Sequence, residues 1–454
     1  MRVQVNAAMT NLALLHAFIS LLAVVTAAPW DAYNLSPRSR IISVESAFPV
    51  TLTPLSPSAL FDFGKEVGGE LMFSVGEVGG SNARLSFSFS ESSYYTDNSD
   101  NSNGGSGNDG AFSMNETILP NANYSLPHAQ LRGGFRFLRV FLTPGQAANC
   151  SVQLQQVALL FTPSPLMPDP SKYANHFFSS DDAINRIWWA GAYTVQLSTI
   201  DPAHARVWPP PPSGWDNSAN AGLGSSILVD GAKRDRMVWG GDCGVSIPTA
   251  YVSTGDTASA ANAVATLLLK CQQQDGIISM VGPPICNFFS SDTYHLWALI
   301  GVCNVFQYTQ DLSWLSSLWL RFVAAVSVSA AKIGSEGLLN VTLSSDWARS
   351  GMGGQNIAGA PQLHKTEPLN CAVIYRRISP LFSQRADVQS SFLRLPAVCC
   401  HGAAAACCQV DSALGTGFIY SSTSPLLQPS LLSLPLPVIR ASSGASGCQR
   451  AALG

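Results

Sequence analysis

Near residue 169 the hydrophobic period of this chain changes from two to about 3.6, which demands a strand-built part followed by a helix-built part. Before the change, Leu71-Met-Phe-Ser-Val75, Ala83-Arg-Leu-Ser-Phe-Ser-Phe89 and Phe135-Arg-Phe-Leu-Arg-Val-Phe141 alternate, and glycine and asparagine separate them. The polar tract Asn98 to Gly110 is too rich in turn formers to pack and reads as a surface loop. Residues 41–165 are therefore expected to form an antiparallel β-sandwich. After the change, Ser179-Ser180-Asp181-Asp182 supplies caps ahead of a helical stretch from Ala183 to Ser198. Further helical stretches run Ile247–Thr254, Thr257–Gln273, Asp292–Thr309 and Ser313–Ile333, separated by Gly-, Pro- and Asp-bearing loops. Hairpin-joined helices after a β domain predict an α-helical toroid or bundle over residues 169–376.

Residues 377–454 follow neither pattern. No lysine follows Lys365 and no glutamate follows Glu367, while Ser, Leu, Pro and Ala dominate. This stretch is expected to be irregular and unfolded, and to be aberrant or non-native coding sequence. At the other end, Arg2, the apolar run Leu12 to Val25 and Val25-Thr26-Ala27 read as a secretory signal peptide over residues 1–27. No later segment reads as long and apolar enough to span a membrane. Sequons at Asn34, Asn115, Asn123, Asn149 and Asn340 agree with an extracellular destination. The eleven cysteines suit an oxidising compartment. The doublets Cys399-Cys400 and Cys407-Cys408, even with His401, lack the spacing of zinc ligands, so neither a metal nor a cofactor is expected. A net charge of −3 with no basic stripe argues against nucleic acid as a partner. The oligomeric state is not legible.

Only 12% of the residues are charged, yet Asp230-Gly-Ala-Lys-Arg234-Asp235-Arg-Met-Val-Trp239-Gly-Gly-Asp242 gathers three carboxylates, basic side chains and an indole. Carboxylates grip sugar hydroxyls, an indole covers an apolar sugar face, and a carboxylic acid can protonate a glycosidic oxygen. Clustered carboxylates repel one another's charge, which raises the pKa of one and prepares it as a general acid. Blander roles are open to the same residues: Trp239 in the core, and Asp242 as the N-cap of the helix entering Ile247.

The segment resembles the signature of α-L-rhamnosidases of glycoside hydrolase family 78, roughly Asp-x-x-x-Arg-Glu/Asp-x-x-x-Trp-x-Gly-Asp. Asp230, Arg234, Asp235, Trp239, Gly241 and Asp242 fall in register. Flanking pieces are similar to fungal-type members in the same order: Leu60 to Gly69, Gly134 to Arg139, Asp182 to Trp188, Asp275-Gly276, Tyr294-His-Leu-Trp297 and Asp346-Trp347-Ala-Arg349. The resemblance covers residues 55 to 376. It implies a β-sandwich followed by an (α/α)6 toroid, here partial, and inverting hydrolysis of terminal α-L-rhamnose from glycosides or plant polysaccharides. By the resemblance Asp235 takes the acid position, where many members carry glutamate, and Asp230 and Asp242 bind hydroxyls and tune the acid. Arg234 would hold a neighbouring carboxylate or a hydroxyl. Trp239 and Trp347 become apolar walls, and Tyr294, His295 and Asp346 are weaker pocket candidates. The family's general base is a later glutamate. Downstream of Asp242 only Glu336 and Glu367 remain, neither in a matching context, so the base is unassigned. The alternatives are an inactive or truncated relative, and a six-hairpin glycosidase of other sugar specificity.

Overall fold

In the computed structural model, the described residues are 28–97, 110–146, 149–211, 215–287, 290–335, 338–345 and 354–355. The signal segment, most of the Asn98–Gly110 tract, Glu336, Asp346, Trp347, Glu367 and the whole of 377–454 lie outside them.

The alternating half forms β1 (Ile41–Ser43), β2 (Val50–Leu52), β3 (Ser58–Gly79), β4 (Leu85–Ser90), β5 (Phe112–Ser113), β6 (Asn123–Ser125), β7 (Arg132–Leu142) and β8 (Ser151–Phe161). All eight are hydrogen-bonded, antiparallel, into one sheet of order β1-β8-β3-β7-β4-β5, with β2 added to β8 and β6 to β3. The expected sandwich would have two separate sheets; here one strand serves both halves. β3 pairs with β7 from Ser58 to Gly69 and with β8 from Gly69 to Gly79. The two halves bury their apolar faces on one core, where Phe73 and Phe87 stand 5.4 Å apart. Gly69 allows the change of partner. Its φ is +153°, and a Cβ there would meet the Leu160 carbonyl oxygen at 1.9 Å.

Five helices follow among the described residues: α1 (Asp182–Leu197), α2 (Gly240–Val252), α3 (Thr257–Cys271), α4 (Asp292–Thr309) and α5 (Leu312–Ala331). Four of them begin with a side chain accepting from the first-turn amides: Asp181, Asp256, Ser291 and Asp311. Loops of a few residues join α2 to α3 and α4 to α5, and their apolar faces share one core with β9 (Thr199–Ile200) and β10 (Ile227–Leu228). Among the described residues these five helices are too few for a complete (α/α)6 toroid. A disulfide, Cys271–Cys286, ties the end of α3 to the loop before α4, and Cys150 and Cys243 are buried as free thiols.

One sequence expectation needs correction. α5 is, by length and composition, long and apolar enough to cross a membrane. The alternation of Ser with Leu, Val and Ala along it hides this from a scan for unbroken apolar runs. In this fold its Leu315, Leu318, Trp319 and Phe322 face inward and pack in the helical core.

The sheet and the helices meet where β7 starts. Trp215 Nε1 (2.5 Å) and Asn217 Nδ2 (2.9 Å) donate to the Leu131 carbonyl. Tyr193 of α1 donates to the Glu66 carbonyl of β3 at 2.6 Å. The Arg132 guanidinium lies between the rings of Phe89 and Trp215, 5.0 and 4.3 Å from their centres. This seam carries the loop that follows β10.

Candidate active site

Asp230 leaves β10 and closes a loop on itself: its amide donates to the Met237 carbonyl (2.9 Å), and its Oδ1 accepts from the Met237 amide (3.1 Å). Residues 231–236 project from that neck onto β7. The Gly133 backbone makes room, since a Cβ there would meet the Ala232 carbonyl oxygen at 1.5 Å. At the turn, Asp235 (φ 57°) and Arg236 (φ 53°) are consecutive non-glycine residues in the left-handed region. Such backbone persists only where its surroundings hold it. Arg236 supplies the hold. It is 1% exposed, and its guanidinium donates to the carbonyls of His204 (Nε, 3.0 Å) and Ala232.

After the loop, Trp239 is extended, bridges to Val281 and forms the N-cap of α2. Asp242 is therefore the third residue of the helix rather than its cap. α2 starts at Gly240, well before Ile247, because its glycines are contact surfaces. A Cβ on Gly241 would meet the Tyr294 ring at 2.8 Å, and one on Gly244 the Trp297 ring at 1.8 Å. α2 and α4 thus pack glycine against aromatic, which seats Tyr294 and Trp297 beside Asp242.

Between α1, α2 and α4 lies a cavity of about 520 Å³. Asp230 and Asp242 line it together with Tyr294, Trp297, Ser246 and Thr194. Threonine and serine hydroxyls and the two carboxyls share its lining with two aromatic rings and three valines. Burial lifts the carboxyl of Asp242 to about 6, aided by the charge of Asp235 and opposed by Arg234. That outweighs the pull of the α2 N-terminus, which favours the ionised form. Asp230 is raised well above the ordinary carboxylate value, first by burial and then by Asp235 and Asp242. Asp235 is raised as well, by burial, although Arg234 (3.7 Å) and Arg206 oppose it. Three carboxyls that resist ionisation face a common space or one another, which suits proton donation and hydroxyl binding near neutral pH.

The other predicted residues sort differently. Arg234 and Asp235 sit on the loop and are not among the cavity's walls. Trp239 stands behind Tyr294, edge to face at 5.9 Å, with a buried and unpartnered indole N–H. His295 points away from the cavity: its Nδ1 accepts from the Ile278 amide, and Nε2 meets the Ala325 carbonyl, both at 3.0 Å. Both ring nitrogens are used in the core, so a structural role replaces the expected pocket role. His295→Leu should strand one amide and one carbonyl and cost about 2–4 kcal/mol, measured as a lower urea midpoint with the cavity unaltered. Unchanged stability would show that these two bonds are not holding the segment. Trp297, Thr293 and Ser246 line the cavity without having been singled out. The signal for Trp297 was its spacing of three from Tyr294 opposite the glycines of α2.

Residues 217–376 match the family model of the bacterial α-L-rhamnosidase six-hairpin glycosidase domain. The fold agrees with solved structures of rhamnosidases. A Klebsiella oxytoca rhamnosidase with rhamnose bound aligns at TM-score 0.53 and 17% identity, over 74% of this chain and 60% of its own. The family 78 rhamnosidase of Bacillus sp. GL1 aligns at TM-score 0.54 and 14% identity, over 77% and 33%. The Streptomyces avermitilis α-L-rhamnosidase complexed with L-rhamnose gives 0.50 and 14%, over 76% and 29%. The chain thus spans 60% or less of the length of each of these enzymes. No curated protein matches it.

Proposed function

We propose that this chain is a secreted glycoside hydrolase of the α-L-rhamnosidase type that removes terminal α-L-rhamnose from glycosides or plant polysaccharides with inversion, built on a partial (α/α)6 toroid. The observation that carries the reading is the cavity where Asp230 and Asp242, both held toward the protonated state, face Tyr294 and Trp297. The carboxyls would bind ring hydroxyls and the aromatic walls would take the apolar C6 methyl. Asp235, held back from ionising on its left-handed turn, is the proposed acid that protonates the leaving oxygen. The water-activating base is left unassigned. The outward-facing Asn115, Asn123 and Asn149 are sequons open to glycosylation, which suits an extracellular product.

The test is hydrolysis of p-nitrophenyl α-L-rhamnoside by the purified full chain. Asp235→Asn should lower turnover by roughly 10²–10⁴. Asp242 is the rival donor, because it lines the cavity and Asp235 does not. A loss confined to Asp242→Asn would move the acid there. Folded protein that binds L-rhamnose without turnover would sink the hydrolase reading, and turnover of another aryl glycoside in its place would change the sugar.

A further inference from the structure

Behind the loop that carries Asp235, at the seam of sheet and helices, three side chains far apart in sequence converge. Glu70 comes from β3, His128 from a single helical turn before β7, and His204 from a second such turn after β9. One donor atom of each lies within 4.8 Å of the other two. The two imidazole rings are 4.5 Å apart between centres.

The hydrogen-bond chemistry of His128 does not close on itself. Its Nε2 faces the Ala203 carbonyl at 3.2 Å and its Nδ1 faces the Glu70 carboxylate at 3.4 Å. Both partners are acceptors, and a neutral imidazole carries one N–H. With that hydrogen on Nε2, a bare nitrogen lone pair is left opposing a carboxylate. His204 adds another unmet group, since its Nδ1 is buried with no hydrogen-bond partner. Lone pairs and a carboxylate gathered with too few protons call for a cation. A second proton on His128 would place an imidazolium against the His204 ring, whereas a divalent metal would use both rings and the carboxylate.

We propose that Glu70, His128 and His204 form a binding site for a divalent transition metal of the Zn2+ class. Two imidazoles and one carboxylate form a known three-ligand set for Zn2+ and leave a fourth position for water. The Nε2–H···O=C contact from His128 to Ala203 is the second-shell bond that fixes a ligating imidazole with its other nitrogen free. His128 is exposed, so the ion has a way in. The ion would staple β3 to the turn at Pro202–His204. The carbonyl of His204 is the one that Arg236 holds, so the staple would brace the Asp235 turn from behind.

The test uses the full chain stripped with chelator and titrated with Zn2+ alone, read by calorimetry and thermal melting. One tight site and a rise in Tm are expected. His128→Ala and His204→Ala should each weaken it by about 100-fold or more, and Glu70→Gln by 10–100-fold. His176→Ala, away from the cluster, should leave it unchanged. Zn2+ binding that survives in the His128→Ala/His204→Ala double variant would place the metal elsewhere, for instance on Cys399 to Cys408, and overturn the proposal. Absence of binding at micromolar metal would overturn it too. Rhamnoside turnover is not the readout, so failure of the glycosidase reading leaves this test intact.

Discussion

Asp242→Asn is expected to stabilise the protein at pH 7.5 by about 2–3 kcal/mol and to change little at pH 4. The folded carboxyl is pushed from 3.8 to about 6. The native state then holds its proton more tightly than the unfolded chain does. Its contribution is full below pH 3.8, is lost as pH rises to about 6, and stays lost above that. Asparagine resembles the protonated acid and does not ionise, so the variant keeps what the wild type forfeits. It also removes one of the charges that burden Asp230. Urea unfolding at the two pH values measures the effect. Equal stabilities at pH 7.5, or a gain that is the same at pH 4, would mean that Asp242 is better solvated than its position in the cavity wall implies. The same substitution should weaken rhamnoside binding at pH 7.5, because the carboxylate that predominates above about pH 6 accepts sugar hydroxyls more strongly than an amide does.

Why some of this was legible in sequence and some was not follows from which interactions are local. The caps Asp181, Asp256, Ser291 and Asp311 act within three residues, and the helices they start lie close to where the periodicity placed them. α2 is the exception. Gly240-Gly241-Asp242-Cys243-Gly244 has poor helix propensity, and only packing against Tyr294 and Trp297 makes glycine the residue required there. β3 was visible only as Leu71–Val75, because Gly64, Lys65, Gly68 and Gly69 look like a break. In the fold they are the irregular part of one 22-residue strand.

The candidate site divides along the same line. Asp230 to Asp242 is contiguous, so its chemistry could be read directly. What the sequence hid is that the segment's two ends line a cavity while its middle turns onto the sheet. The opposite wall comes from Trp297, whose spacing from Tyr294 is a local signal, and from Thr194 and Ser198 at the α1 end, which carry none. His295 misled for a related reason. A histidine between Tyr294 and Leu296 on a helix looks the same whether it faces a pocket or, as here, the Ile278 amide and the Ala325 carbonyl. Glu70, His128 and His204 meet only through tertiary structure.

Gly133→Ala is expected to destabilise the chain by roughly 3–5 kcal/mol, although it adds a single methyl group to a strand. That methyl would fall 1.5 Å from the Ala232 carbonyl oxygen and 2.0 Å from Arg236 Nη1, two atoms hydrogen-bonded to each other. Neither can give way cheaply. The carbonyl is backbone, and the guanidinium is fully buried with its Nε held by His204. Relief requires the 231–236 loop to lift off β7, which breaks charge-assisted bonds worth about 1.5–3 kcal/mol each. It also releases the left-handed turn at Asp235 and Arg236, so rhamnoside turnover should fall together with stability. Gly191→Ala is the matched control. A Cβ there meets nothing within 4 Å, and helix propensity alone should add roughly 0.5–1 kcal/mol. Urea midpoints of the two variants should therefore move in opposite directions. If Gly133→Ala stays within about 1 kcal/mol of the wild type, the loop is not braced by β7. The sheet would then have no part in holding the carboxylate segment, and the two halves of the fold would not be coupled at the site.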